Sequence, residues 1–128
     1  MPKQYKRVFA ALDGGKTQNH VAERAIELAA TEKAELVFGH VVDSVPYEAA
    51  GTDFAALADE MRVKLEESIA PMLEAARSNP DIPSVRVIVK AGRITETLAE
   101  QIIEPYDPDL VICGERVLSN IKYVFVGS

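Results

Sequence analysis

The sequence has a single cysteine, and none of its apolar runs approaches the roughly 20 residues that are needed to span a bilayer. One cysteine excludes an internal disulfide framework and a zinc site built from several cysteines. No basic tract of five or more residues occurs, and 20 acidic residues outnumber 14 basic ones to give a net charge of −6. Nucleic acid and membranes are therefore not expected partners.

What is present is the composition of an ordinary globular protein. Of 128 residues, 48% are hydrophobic and 27% are charged, which argues against disorder and predicts one domain over residues 1–128. The apolar run that precedes Asp13 is too short for the core of a signal peptide. We therefore expect a cytoplasmic protein.

Short apolar runs alternate with stretches of helical periodicity along the whole chain. Near-continuous apolar runs are typical of strands that are buried on both faces of a parallel sheet. The predicted strands cover residues 8–12, 35–43, 85–89 and 110–113. Such alternation predicts an α/β fold with an open, doubly wound parallel sheet of at least four strands.

The helices are predicted from apolar spacing and from capping residues. Thr17 is the expected cap of the first helix, and Thr52 is the expected cap of a long second helix. Pro71 lies within the apolar stripe of that second helix and predicts a kink or break there. Residues 44–51 are predicted to form a loop, Gly92 to turn the chain, and residues 94–104 to form a helix that ends before Pro105.

Parallel α/β sheets bind ligands beyond the carboxyl ends of their strands, where the strand order switches. In this chain, that rule directs attention to Asp13, to the end of the second strand near Val41, and to the segment that follows Gly114.

Several common α/β functions are excluded by the residues themselves. Gly15-Lys16-Thr17 matches the end of a phosphate-binding P-loop, but Ala10 stands where the first glycine is required. No G-x-G-x-x-G follows the first strand, which excludes the dinucleotide fingerprint. A phospho-receiver domain needs an aspartate after the third strand, where this chain has Lys90.

No catalytic constellation is recognisable in the sequence. His20 and His40 lie on different elements, and His40 is interpreted as a packed or hydrogen-bonded histidine rather than a metal ligand. Cys113 has no basic neighbour to lower its pKa and is interpreted as an inert core residue. No metal site is predicted.

The segment after the fourth strand carries the strongest functional signal. It reads G-x2-V-x9-G-S, where the first glycine is Gly114, the valine is Val117 and the final pair is Gly127-Ser128. This segment resembles the universal stress protein family, whose nucleotide-binding members carry G-x2-G-x9-G-[ST] at this place. Asp13-Gly14, the run from His40 to Asp43 and Gly92 extend the resemblance over nearly the whole chain.

The resemblance implies an adenine nucleotide alpha-hydrolase-like fold that binds ATP, with magnesium. Asp13 would accept hydrogen bonds from the ribose hydroxyls or help to hold the metal ion, and Val41 would meet the adenine. Gly114 would let the backbone pass close to ribose and phosphate. Gly127 and Ser128 would hold the phosphates at the start of a helix, whose N-terminus attracts anions. A homodimer is also implied.

Two departures from the family pattern bear on these expectations. Val117 replaces the second loop glycine, and a β-branched side chain there opposes a positive φ or a close approach to phosphate. Family members continue past the Gly-Ser pair into a fourth helix and a fifth strand, whereas this sequence ends at Ser128. We therefore expect a sheet without the fifth strand, either because the domain is truncated at its C-terminus or because the protein lacks these elements.

The sequence thus predicts a universal stress protein domain that binds ATP or a related adenine nucleotide and acts as a regulatory module in a stress response. Two alternatives stay open. One is a family member that binds no nucleotide and acts through protein–protein contacts, including its own dimer. The other is a weak nucleotide hydrolase, for which Asp13 is the only general base that the sequence offers.

Overall fold

The computed structural model describes residues 5–14 and 18–114, apart from the side chains of residues 49 and 50. Four strands, β1 (Arg7–Ala11), β2 (Glu35–Asp43), β3 (Val85–Gly92) and β4 (Leu110–Cys113), form one sheet in the order β3-β2-β1-β4. All three pairings are parallel. The α/β class and the open parallel sheet predicted from the sequence are confirmed.

The helices cover the two faces of the sheet unequally. One face carries α1 (Gln18–Glu32), α2 (Phe54–Ser68) and α3 (Ala70–Ser78), and the other face carries one continuous helical segment. That segment consists of α4 (Ile94–Thr97), six π-helical residues (Leu98–Ile103) and α5 (Glu104–Tyr106), and it is called the 94–106 segment below. None of the helices in the described part of the chain is long and apolar enough to cross a membrane.

Alternation along β1 builds two cores, one on each face of the sheet. Val8, Ala10 and Leu12 face α1 to α3, whereas Phe9 and Ala11 face the 94–106 segment. Val8, Phe9 and Ala10 are fully buried. A strand that is buried on both faces reads as a continuous apolar run, and this explains why the sequence located β1 so well.

Helix boundaries differ from the sequence-based expectations at two places. The cap of α2 is Asp53, whose carboxylate accepts from the Ala56 amide at 3.1 Å, and not Thr52. The Thr52 hydroxyl instead donates to the Tyr47 carbonyl at 3.3 Å, because residues 45–50 form a 3₁₀ helix rather than an irregular loop. The break predicted at Pro71 is confirmed, since α2 ends at Ser68 and α3 begins at Ala70.

The third strand and the last helix are longer than the sequence indicated. β3 continues to Gly92, which pairs with Asp43 and thus belongs to the strand. A Cβ at Gly92 would overlap the Thr97 hydroxyl, so glycine at this position lets the Thr97 side chain pack closely against the strand. The helical segment passes through Pro105, which lies two residues after the six π-helical residues, and it ends at Tyr106.

The packing of β2 on β1 depends on Gly39. A Cβ at this position would overlap the ring of Phe9, which is fully buried and has no room to move. We expect Gly39→Ala to lower the free energy of unfolding by about 1–3 kcal/mol, the usual cost of overpacking. Urea denaturation measures this change. Phe9→Leu should lower the free energy of unfolding less in the Gly39→Ala background than in the wild type, because the smaller side chain relieves the overlap. Additive effects of the two substitutions would contradict this account.

Candidate functional site

The strand order switches between β1 and β4. From β1 the chain first proceeds outward on one side, to β2 and β3, and then returns to add β4 on the other side. Ala11 is in register with Cys113 of β4 and with Gly39 of β2. The residues that follow these positions therefore meet at one edge of the sheet, which we call the carboxyl edge. In an open α/β sheet this is the expected place for a ligand.

Three of the six site residues predicted from the sequence lie at this edge. Asp13 follows β1, Gly114 follows β4, and Val41 lies in β2 two residues beyond the partner of Ala11. Asp13 and Gly114 are partly exposed, so both can be reached from solvent. Val117, Gly127 and Ser128 lie outside the described residues, as does the Thr17 cap.

Val41 contributes mainly to the core. Its side chain is only 7% exposed and packs with Phe9, Val37 and Leu98 beneath the 94–106 segment. Its backbone pairs with β3 at the level of Lys90, close to the end of the strand.

A left-handed turn directs the chain away from β1. Gly14 has φ +75°, a conformation that L side chains rarely adopt, and it directly follows Asp13. The turn ends β1 and leaves the Asp13 carboxyl at the rim of the sheet. Glycine is thus required here by backbone geometry, which agrees with the turn chemistry read from the sequence.

His40 holds the end of β1 in place. Its Nδ1 lies 2.7 Å from the Leu12 carbonyl oxygen, which can only accept, so Nδ1 must carry the proton and donate. This confirms the interpretation of His40 as a hydrogen-bonded histidine. The Leu12 amide in turn donates to the Gly39 carbonyl at 2.7 Å, and together these bonds fix the residue before Asp13.

A cavity of about 230 Å³ lies beside Gly14 on the α1–α2 face, and sequence reasoning missed it. Gln18 and His40 line it from one side, and Lys64 and Ser68 line it from α2. Gln18 is 8% exposed, and its Nε2 donates to the Ser68 hydroxyl at 3.2 Å. Its Oε1 is buried and has no hydrogen-bond partner within residues 5–14 and 18–114.

Gln18 could have been found from the sequence. It extends the buried stripe of α1 by one turn, since Gln18, Val21, Ala22, Ala25 and Ala29 share the face toward the sheet. A polar residue on an apolar stripe, one turn after a candidate site, is the signal that points to it. With Asp13, it gives the carboxyl edge oxygen acceptors suited to hydroxyl or amino donors.

Cys113 ends β4 and packs against the core under the 94–106 segment. Burial raises the pKa of its thiol, so the thiol stays protonated at neutral pH. This agrees with the interpretation of Cys113 as an unreactive packed residue. Within the described ranges, no group of three or more His, Cys, Asp or Glu residues could hold a metal ion.

Comparison with known proteins gives one consistent result. The family model described as "Universal stress protein family" matches residues 4–128. Universal stress protein D of Escherichia coli is 26% identical over 112 residues, which are 88% of this chain and 78% of that protein.

Solved structures show the same fold. The universal stress protein UspA of Lactobacillus plantarum matches with a TM-score of 0.73 at 18% identity, over 99% of this chain and 88% of that one. A universal stress protein in complex with cAMP matches with a TM-score of 0.52 at 15% identity, over 85% of this chain and 72% of that one. These likenesses show the adenine nucleotide alpha-hydrolase-like fold.

The two histidines allow a matched test of the bond that holds β1. His40→Ala leaves the Leu12 carbonyl without its side-chain donor, and we expect the free energy of unfolding to fall by about 1–3 kcal/mol. His20 is exposed on α1, and His20→Ala should change the free energy of unfolding by less than about 0.5 kcal/mol. Urea denaturation of both variants compares them. Equal losses would show that the His40 bond does not contribute.

Proposed function

Because the chain belongs to the universal stress protein family, we propose that it binds ATP or a related adenine nucleotide and acts as a regulatory module in a stress response. The observation that carries this proposal is the meeting of Asp13 and Gly114 at the strand-order switch of a parallel sheet. A carboxylate beside a glycine at this point suits a ribose and the start of a phosphate chain.

The nucleoside half of the ligand would be held by described residues. Ribose hydroxyls are donors as well as acceptors, and Asp13 presents a carboxylate oxygen to them at the rim of the sheet. The adenine would lie against the end of β2 at Val41. The relative that was solved with cAMP supports an adenine nucleotide as the ligand class.

The phosphate half would be held by residues that lie outside the described ranges. Gly127 and Ser128 supply a backbone amide and a hydroxyl in the family pattern, and Gly114 lets the chain approach closely. Magnesium would arrive with the phosphates, because it is commonly bound by one or two carboxylates together with phosphate oxygens. Asp13 is the carboxylate at this edge that would complete such a set.

We do not propose an efficient enzyme. The described residues offer Asp13 as the one candidate base at this site, so nucleotide hydrolysis would be slow at most. Product analysis after long incubation with Mg-ATP tests the hydrolase alternative.

Residues 1–128 are proposed to form one domain, and a homodimer is proposed from the family resemblance.

Asp13→Ala tests the nucleoside half of the site. Loss of a charged acceptor should raise the dissociation constant for Mg-ATP about tenfold or more, measured by calorimetry. Asp81→Ala is the matched control, since Asp81 is exposed in the turn before β3 and carries the same charge. If both substitutions weaken binding equally, net charge and not the Asp13 contact controls affinity.

Val117→Gly tests the phosphate half. Restoring the family glycine removes a β-branched side chain from the loop, and we expect binding to tighten by about 1 kcal/mol, or about fivefold. Val117→Ala separates bulk from backbone freedom, because alanine removes bulk but keeps the restriction on φ.

A second candidate function follows from the same residue. Val117 in place of the glycine favours a family member that binds no nucleotide and acts through protein–protein contacts. If neither the folded wild type nor Val117→Gly binds ATP, AMP or cAMP, the nucleotide proposal fails and this alternative stands. A search by mass spectrometry for nucleotide retained through purification gives an independent answer.

A further inference from the structure

A second cavity, of about 400 Å³, opens at the opposite edge of the sheet. Arg7 and Glu35 are the first residues of β1 and β2, and Arg86 is the second residue of β3, so these three charged residues mark the amino ends of the strands. The end of the 94–106 segment covers the cavity with Tyr106. A strand length separates it from Asp13 and Gly114, so a ligand here would be independent of the proposed nucleotide.

The two arginines of this cavity differ in their ion pairs. Arg7 shares its charge between Glu35, at 3.7 Å, and Asp107, at 3.9 Å. Arg86 has no ion pair to any residue in the described ranges, and its guanidinium lies 6.0 Å from the centroid of the Tyr106 ring. Arg86 thus brings an uncommitted positive charge to a protein that carries a net charge of −6.

The Tyr106 hydroxyl is a buried donor for which the described part of the chain supplies no acceptor. It is closed off from solvent and has no hydrogen-bond partner among the described residues. Burial is the main cause that raises the pKa of Tyr106 above its usual range, and Glu35 and Asp109 add to this effect, while Arg86 and Arg7 oppose it. The hydroxyl therefore stays protonated, and a buried donor left unpaired costs about 1–3 kcal/mol.

The apolar part of the lining defines the rest of the ligand. Ile102 is 1% exposed and forms the floor together with Ile88 and Pro105. Arg7 is already paired with Glu35 and Asp107, so Arg86 is the lining group whose positive charge has no ion pair within the described residues. That charge balances a monoanion, whereas a dianion would also meet repulsion from Glu35. The volume is that of a small-molecule site.

We propose that this cavity binds a small organic monocarboxylate with a flat apolar body. Arg86 pairs with the carboxylate in the bidentate manner that guanidinium favours. Arg86 is solvent-exposed and lies over the Tyr106 ring, so a carboxylate held by Arg86 lies beside Tyr106, whose hydroxyl then donates to a carboxylate oxygen. The apolar body lies on Ile88 and Ile102.

The test uses benzoate as the probe and benzamidine as a cation of the same shape. Titration of the full chain is followed by ¹H–¹⁵N NMR. Benzoate should shift the amides of Arg86 and Ile88 and the side-chain amide of Gln101, which also lines the cavity, but leave Gly14 and Gly114 unchanged. Benzamidine should give no such shifts. Equal binding of both probes, shifts at the carboxyl edge instead, or tighter binding of phenyl phosphate than of benzoate would overturn the proposal.

Variants assign the roles of the two key side chains. Arg86→Gln should raise the dissociation constant for benzoate at least tenfold, and Arg77→Gln, which removes an exposed arginine from α3, should leave it unchanged. Tyr106→Phe keeps the ring and removes the hydroxyl, and it should weaken binding severalfold. Circular dichroism checks that each variant is folded. Unchanged affinity in a folded Arg86→Gln protein would refute the proposed carboxylate contact.

Discussion

The central position of β1 is the constraint on which the structure depends. This strand is buried on both faces, so its amide and carbonyl groups can be satisfied only by neighbouring strands on both sides. β2 and β4 supply these partners, in parallel. The requirement brings a chain segment from the far end of the sequence next to β1, and Asp13 and Gly114 meet as a consequence.

The two edges of the same sheet have different chemistry. The carboxyl edge is built from a left-handed turn at Gly14, a histidine that holds the end of β1, and oxygen acceptors from Asp13 and Gln18. The amino edge carries arginines beside a tyrosine hydroxyl that has no hydrogen-bond partner among the described residues. The first arrangement suits hydroxyl and amino donors, and the second suits a carboxylate. The sheet thus presents an acidic side chain, Asp13, at one edge and arginines at the other.

Sequence reasoning succeeded where one local rule dominated. Continuous apolar runs located all four strands, and Pro71 correctly marked the break between α2 and α3. It failed where two adjacent residues could serve the same role. Thr52 and Asp53 are both good caps, and the choice depended on the 3₁₀ helix that engages the Thr52 hydroxyl through Tyr47. Pro105 was taken as a helix stop, but the helical segment continues through it to Tyr106, after six π-helical residues that are not visible in the sequence.

By itself, the sequence determined the fold class and the order of the elements, and it predicted a ligand at the carboxyl edge, because burial periodicity and turn residues are local properties. Only the tertiary structure decided which residues share a site. The strand order set the neighbours of β1, and the packing of α1 against α2 placed Gln18 beside Ser68. Arg86 and Tyr106 were brought together in the same way, since they lie on different elements and meet only when the 94–106 segment packs on the sheet. Contacts between distant parts of a chain follow from packing, which no local pattern records.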